Sequence, residues 1–464
     1  MNSPAEPASE SPASAASQPV ASPTISRAYS CGQCGKPVFL RNSLCLNCGT
    51  AVGYEPERRT MVALTPTDTE TVWELVGENG ALVMRCANLD TAAACNWLIA
   101  ADAEGNFDQP NRYPGFCLAC SLNRMVPDQS IERNHELWRR LEIAKRRLVS
   151  QLLALALPVE TRLEISNGLA FDMIESEQGM AHVMTGHNEG LITLNIEEAD
   201  DSVRERLRAE MREPYRTLLG HFRHEIGHYY WDRLVRDGEW LEPFRALFGD
   251  EREDYAAALQ RHYQTGAPAE WPQRYVTSYA TAHPWEDWAE TWAHYLHMSD
   301  TVDTALSFGI NTDSVDMQAV PFELPDLWQP EHPNAGQFLL FLNTWVRLTN
   351  VFNELSRAMG QNDYYPFILP RAAVAKLQFI HEVIRSASVA EPVFNPPMAA
   401  QQVQGQAQDQ DQSVAQPAEQ SQVQIQAQSQ SQAQGQAPVQ AMQAAAPMQS
   451  APPAQNQPAT DSAG

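Results

Sequence analysis

Eight cysteines lie between positions 31 and 120, and none occurs in the rest of the 464-residue chain. They form two sets of four, so this stretch is built around sulfur. The first set reads Cys31-Gly-Gln-Cys34, then ten residues, then Cys45-Leu-Asn-Cys48, with Gly35 and Gly49 directly behind the pairs. Two such knuckles offer four thiolates to one tetrahedral zinc ion, and a glycine after each permits the turn that aims backbone amides at sulfur. Disulfides would need an oxidising compartment, and the Ser/Pro/Ala-rich N-terminus has neither the basic start nor the apolar stretch of an export signal. A cytoplasmic location is the expectation.

The second set, Cys86, Cys95, Cys117 and Cys120, has one knuckle and one looser pair. Short apolar stretches at 81–84 and 96–100 read as strands, which makes a second ribbon-like zinc site the expectation. Buried free cysteines, or a different ligand such as Asp90, are the alternatives. Modules of this size seldom bury enough surface to fold without metal.

The two ends carry little that could form a core. Residues 1–27 lack periodicity and large apolar side chains, and 399–464 is a Gln/Ala/Ser/Pro tract with glutamine at nearly every second position in places. Both read as disordered. The net charge of −25 lies mostly between them and argues against a nucleic-acid partner, since phosphate neutralisation needs clustered Lys and Arg. No apolar run approaches the roughly 20 residues that span a bilayer, so no membrane partner is expected either.

Leu218, Leu219, Phe222, Ile226 and Tyr229 recur at helical spacing, predicting a buried amphipathic helix from Glu213 to about Arg236 with Pro214 in its first turn. It carries His224-Glu225-Ile226-Gly227-His228. Residues four apart stand one turn apart on one face, so both imidazoles can bind one zinc while Glu225 reaches the attacking water as general base. Upstream, Asn188-Glu189-Gly190 sits between two short apolar runs that begin near His182, a hairpin whose edge could pair with an extended peptide. Downstream, Pro284 opens a second helix on which Trp285, Trp288, Trp292 and Tyr295 recur and Glu286 and Glu290 share a face. From the residues alone the third ligand is open among Glu286, Glu290, His283, His294 and Asp287. A further helix, 131–157, carries Leu137, Leu141, Leu148 and Leu152 as one stripe, with Arg139, Arg140, Lys145, Arg146 and Arg147 on what reads as a solvated face. Residues 335–358 and 371–387 also read as helices.

His224 to His228, followed by Tyr279 and then Glu286-Asp-Trp-Ala-Glu290, resembles the gluzincin metallopeptidases of the lethal-factor type. Asp287 stands where that group has an aromatic residue, which leaves the ligand spacing intact. Joined to the Cys31–Cys48 ribbon, these motifs resemble a bacterial zinc-binding metallopeptidase family with an N-terminal zinc ribbon. The resemblance implies that His224, His228 and Glu286 ligate a catalytic zinc, that Glu225 is the base, that Tyr279 stabilises the oxyanion, and that Glu290 orients a ligand histidine from behind.

The resulting expectation is an α+β chain with disordered termini. Its parts are a disordered arm (1–27), a zinc ribbon (28–55), a second four-cysteine module (56–128), a mostly helical zincin-like domain with a small β-sheet (129–398) and a disordered tail (399–464). It would hold one catalytic and one or two structural zinc ions and hydrolyse a peptide or protein substrate. The competing expectation is an inactive zinc-stabilised scaffold that recruits protein partners through its ribbons and Gln-rich tail.

Overall fold

The computed structural model describes residues 26–388, apart from 79, 103, 110, 177–182, 184, 211–212, 313–314 and 316–321. The Gln-rich tail, nearly all of the N-terminal arm and His182 lie outside the described residues.

Strands β1 (Tyr29–Ser30) and β2 (Pro37–Val38) pair antiparallel across the first knuckle. Gly35 and Gly49 take φ values of 68° and 74°, a left-handed conformation that a side chain would strain. A five-stranded antiparallel meander follows: β3 (Val52–Glu55), β4 (Thr60–Pro66), β5 (Val72–Leu75), β6 (Leu82–Arg85) and β7 (Leu98–Ala100). Because β3 pairs with β4 from Val52↔Ala63 to Glu55↔Thr60, the expected divide at 55/56 falls at the turn of a single hairpin. One sheet therefore runs through both cysteine modules.

The short helix α1 (Leu118–Ser121) begins directly after Cys117 and leads into β8 (Asn123–Met125). Helix α2 (Glu132–Ala154) buries Leu137, Leu141, Leu148 and Leu152, the stripe its periodicity predicts. Its basic face does not match the expectation. Arg139 and Arg140 are solvated, but Lys145 and Arg146 are buried and both pair with the buried carboxylate of Glu142. Periodicity identifies the apolar stripe, but it cannot reveal that another module covers the opposite side.

Strand β9 (Ala170–Ile174) and the hairpin β10 (Gly186–Asn188) and β11 (Leu191–Asn195) complete a second sheet in the order β10-β11-β9-β8. The hairpin turns at Glu189 and Gly190, with φ of 45° and 82°, where the sequence places it. Strand β10 is an edge: its hydrogen-bonded neighbour among the described residues is β11.

The helices that follow are α3 (Asp201–Glu210), α4 (Leu218–Leu234), α5 (Leu241–Phe248), α6 (Tyr255–Thr265), α7 (Pro284–Ser307), α8 (Ala335–Ala358) and α9 (Arg371–Ala387). Helix α4 starts later than expected, because the Thr217 hydroxyl accepts from the Gly220 amide at 3.0 Å and caps it. Pro214 lies outside it. Pro284 does open α7, whose cap is the His283 ring accepting from the Trp285 amide. Helices α4 and α7 pack face to face over Trp288 and Trp292, both fully buried, with α8 and α9 closing the far side through Trp345 and Phe379. Each such side chain contributes roughly 1.5–3 kcal/mol by burial.

Gly227 permits the close α4–α7 approach, because a Cβ there would stand 3.1 Å from the Ala289 Cα and 3.2 Å from the Trp292 Cβ. Gly227→Ala gains about 1 kcal/mol of helix propensity but forces two backbones apart, an overpacking cost of about 1–3 kcal/mol. Urea denaturation of the variant is expected to show a net loss of stability. An unchanged or higher midpoint would mean that the helices can slide.

Arg27, read from the sequence as the end of the arm, is buried and pairs with Asp300 of α7 at 3.2 Å. Among the described residues no helix is long and apolar enough to cross a membrane.

Candidate functional site

Residues one turn apart on α4, His224 and His228, present rings whose centroids are 5.0 Å apart. Helix α7 brings Glu286 to them, with Oε2 3.0 Å from His224 Nε2 and 3.7 Å from His228 Nε2. These three residues offer ligand atoms that all lie within 4.8 Å of one another. The other candidates for the third position are engaged elsewhere. Asp287 pairs with the buried Lys376 at 2.5 Å, and His283 caps α7 while its Nε2 faces the Glu253 carbonyl. His294 bonds the Tyr365 hydroxyl. Glu290 sits behind His224, its Oε1 2.7 Å from Nδ1, while the Thr277 hydroxyl donates to its Oε2 at 2.7 Å.

Those bonds fix the protons. A carboxylate only accepts, so the His224 Nδ1 carries hydrogen and donates to Glu290, and in the neutral ring the lone pair falls on Nε2. That lone pair faces Glu286 Oε2, a buried oxygen with no hydrogen-bond partner among the described residues despite its short approach to His224. Acceptors converging in a buried space call for a positive charge between them, supplied by a metal ion or by a second proton on the His224 ring. The same demand shows in the basicity of His224. Burial disfavours its charged form, yet Glu286 and Glu290 outweigh burial and raise its pKa well above the usual range. The residues fit a divalent metal ion with two nitrogen ligands and one oxygen ligand.

Glu225 is buried beside this cluster and makes no hydrogen bond to the described residues. Tyr279 lies with its ring 6.0 Å from that of His224, and burial together with the Glu286 charge keeps its hydroxyl protonated, a donor. Trp285 covers His228 at a centroid distance of 3.9 Å. Two contributors were invisible in the sequence. The Tyr255 hydroxyl, from the start of α6, donates to Glu286 Oε1 at 2.5 Å. His187 of β10 stacks 6.3 Å from His228, and burial first, then the His228 charge, pushes its pKa down to about 3, so it stays neutral. The only signal for either was residue type, since neither belongs to a motif.

Each cysteine set closes in space. In the first, Sγ atoms of Cys31 and Cys48 lie 3.8 Å apart and those of Cys34 and Cys45 3.7 Å apart; in the second, Cys95 and Cys117 are at 3.6 Å. A tetrahedron with metal–sulfur bonds of about 2.3 Å has edges of about 3.8 Å. All eight cysteines are free thiols, and Asp90 is exposed, apart from the second set. The buried Arg146 of α2 donates to the Ala93 carbonyl at 2.9 Å and faces Cys95, Cys117 and Cys120, so α2 sets a cation against the second four-cysteine cluster.

Comparison with known proteins identifies the family. Residues 134–383, more than half of the chain, match the profile of a family described as "Putative zinc-binding metallo-peptidase". The chain belongs to this zinc-binding metallopeptidase family. Residues 28–131 match a zinc-ribbon domain, a span that takes in both cysteine sets. Uncharacterized proteins of Mycobacterium bovis and of two Mycobacterium tuberculosis strains are 40% identical over 379 residues, which is 81% of this chain and 100% of each relative. No solved structure gives a significant match. At the level of the family, the metallopeptidase domain carries a hydrolase role and uses zinc.

Proposed function

We propose that the chain hydrolyses peptide bonds at a zinc ion held by His224, His228 and Glu286, with Glu225 as general base. The observation that carries this reading is the convergence, within 4.8 Å of one another, of two imidazole nitrogens and a buried carboxylate oxygen that has no hydrogen-bond partner among the described residues. A zinc ion there would supply Lewis acidity, making water acidic enough to attack near neutral pH and polarising the scissile carbonyl. Glu225, next to His224 on α4, takes the proton of the attacking water and returns it to the leaving amine. Tyr279 donates to the oxyanion that develops on the substrate carbonyl, and Glu290 holds His224 in the tautomer that exposes Nε2. The edge of β10, unpaired among the described residues and carrying His187, offers backbone groups to an extended peptide. The two four-cysteine sites each hold a structural zinc.

The experiment is hydrolysis of a fluorogenic peptide library by the full chain, before and after 1,10-phenanthroline. At a chelator concentration that strips the His224-dependent zinc but leaves the sulfur-bound zincs in place, cleavage should vanish with the circular dichroism unchanged, and it should return on adding zinc. Cleavage that survives chelation while the metal is shown to be gone would end the proposal.

A further inference from the structure

Helix α6 has few contacts that would explain its presence. Among its described residues only Ala258 is buried, so its apolar contribution to the core is small. Both of its ends nevertheless reach the active site. Near its C-terminus His262 lies edge-on to Tyr279 at 5.8 Å. At its N-terminus, Asp254 accepts from the Ala257 amide at 3.0 Å and fixes the backbone of Tyr255. The Tyr255 ring is wedged edge-on between His283, at 5.2 Å, and Trp285, at 5.8 Å. From the other side, His283 Nε2 holds the Glu253 carbonyl at 3.2 Å. The segment 253–255 is thus clamped to the first turn of α7, and the hydroxyl that results points at one oxygen of Glu286.

We propose that Tyr255 is a positioning residue that occupies Glu286 Oε1 and so commits the carboxylate to the metal through Oε2 alone. The proposal rests on the metal-site reading above. A carboxylate free to rotate can present both oxygens to one cation, which would use up coordination space that a water nucleophile needs. Oε1 is held by a donor at 2.5 Å, whereas Oε2 has no hydrogen-bond partner among the described residues and faces both histidines. The two oxygens of one side chain are therefore differentiated by a residue 31 positions away in sequence. Partners of this kind typically change metal affinity 10- to 100-fold when removed.

Tyr255→Phe tests this, because it deletes the hydroxyl and keeps the ring against His283 and Trp285. Zinc content and competition with a chelator are measured on the full chain, on Tyr255→Phe and on His224→Ala. Wild type should hold one zinc more than His224→Ala. Tyr255→Phe should keep that zinc but yield it at about tenfold lower chelator concentration, with an unchanged thermal midpoint. After cobalt substitution, the His224-dependent visible absorption should weaken in Tyr255→Phe as the carboxylate takes up a second position. If His224→Ala holds as much zinc as wild type, the metal-site reading itself fails. If the His224-dependent zinc is present and Tyr255→Phe releases it at the wild-type chelator concentration with an unchanged cobalt spectrum, the positioning role alone is overturned.

Discussion

Glu225→Gln should lower kcat on a cleaved peptide by roughly 10²–10⁴-fold while zinc content, KM and thermal midpoint stay near wild type. The substitution is nearly isosteric, so α4 and its packing on α7 are untouched. Glutamine can still hydrogen-bond a water molecule but cannot take its proton, so the loss falls on the step that makes the nucleophile and later protonates the amine. Glu225 is well suited to isolate that step, because it is buried beside His224 and its carboxylate makes no hydrogen bond to the described residues. Ligand variants such as His224→Ala would confound chemistry with metal loss. The result also separates the two functions the sequence admits. An inactive scaffold that uses the same helix to hold structural metal would show no turnover in the wild type at all, and unchanged turnover in a zinc-replete Glu225→Gln variant would remove Glu225 from catalysis.

The parts of this site that were legible in the sequence are those set by local periodicity. His224 and His228 must share a face because they are one helical turn apart, and Pro284 announces the helix on which Glu286 and Glu290 fall. The cysteine knuckles were legible for a similar reason, since a two-residue spacer lets both sulfurs of a pair reach one metal. The contributions that depend on the path of the chain were not. Tyr255 reaches Glu286 because α5 and the loop after it return the chain to the start of α7, and nothing in the pattern around Tyr255 encodes that return. Arg146 looked like one more solvated cation on α2 until the cysteine module covered it. The onset of α4 was displaced because Thr217, rather than the proline three residues before it, satisfies the free amides of the first turn. Periodicity thus specified which face each helix buries, and long-range contacts decided which polar groups complete the site.

The largest effect on folding is expected from a residue that touches no metal ligand. Asp300, on α7, takes three guanidinium groups at once: Arg147 of α2 at 2.7 Å, Arg223 of α4 at 2.8 Å and Arg27 at 3.2 Å. Arg27 is the last residue before the ribbon, and Arg223 directly precedes His224, so one carboxylate joins the ribbon, the packing helix α2 and both helices of the candidate metal site. Asp300→Asn leaves these cations, two of them almost fully buried, without their counter-charge. Breaking such a cluster from one side costs about 3–5 kcal/mol. That is a large part of the 5–15 kcal/mol that a typical protein has in hand, so the variant should show a sharply lowered urea midpoint or accumulate as insoluble protein. The loss should shrink in an Arg27→Met background, where one of the stranded charges is gone; equal losses in both backgrounds would mean that the three arginines do not act through Asp300. Acid should mimic the substitution. Burial alone would push the Asp300 carboxyl up, but Arg147, Arg223 and Arg27 outweigh it and hold its pKa down at about 2. A depressed folded-state pKa contributes stability that is complete above the unfolded value near 4 and is lost as pH falls toward 2. Wild-type stability should therefore fall through that window while Asp300→Asn, which has no proton to gain there, should lose less. Since the same carboxylate fixes Arg223 beside His224, the chelator concentration that removes the His224-dependent zinc should drop in the variant along with its stability.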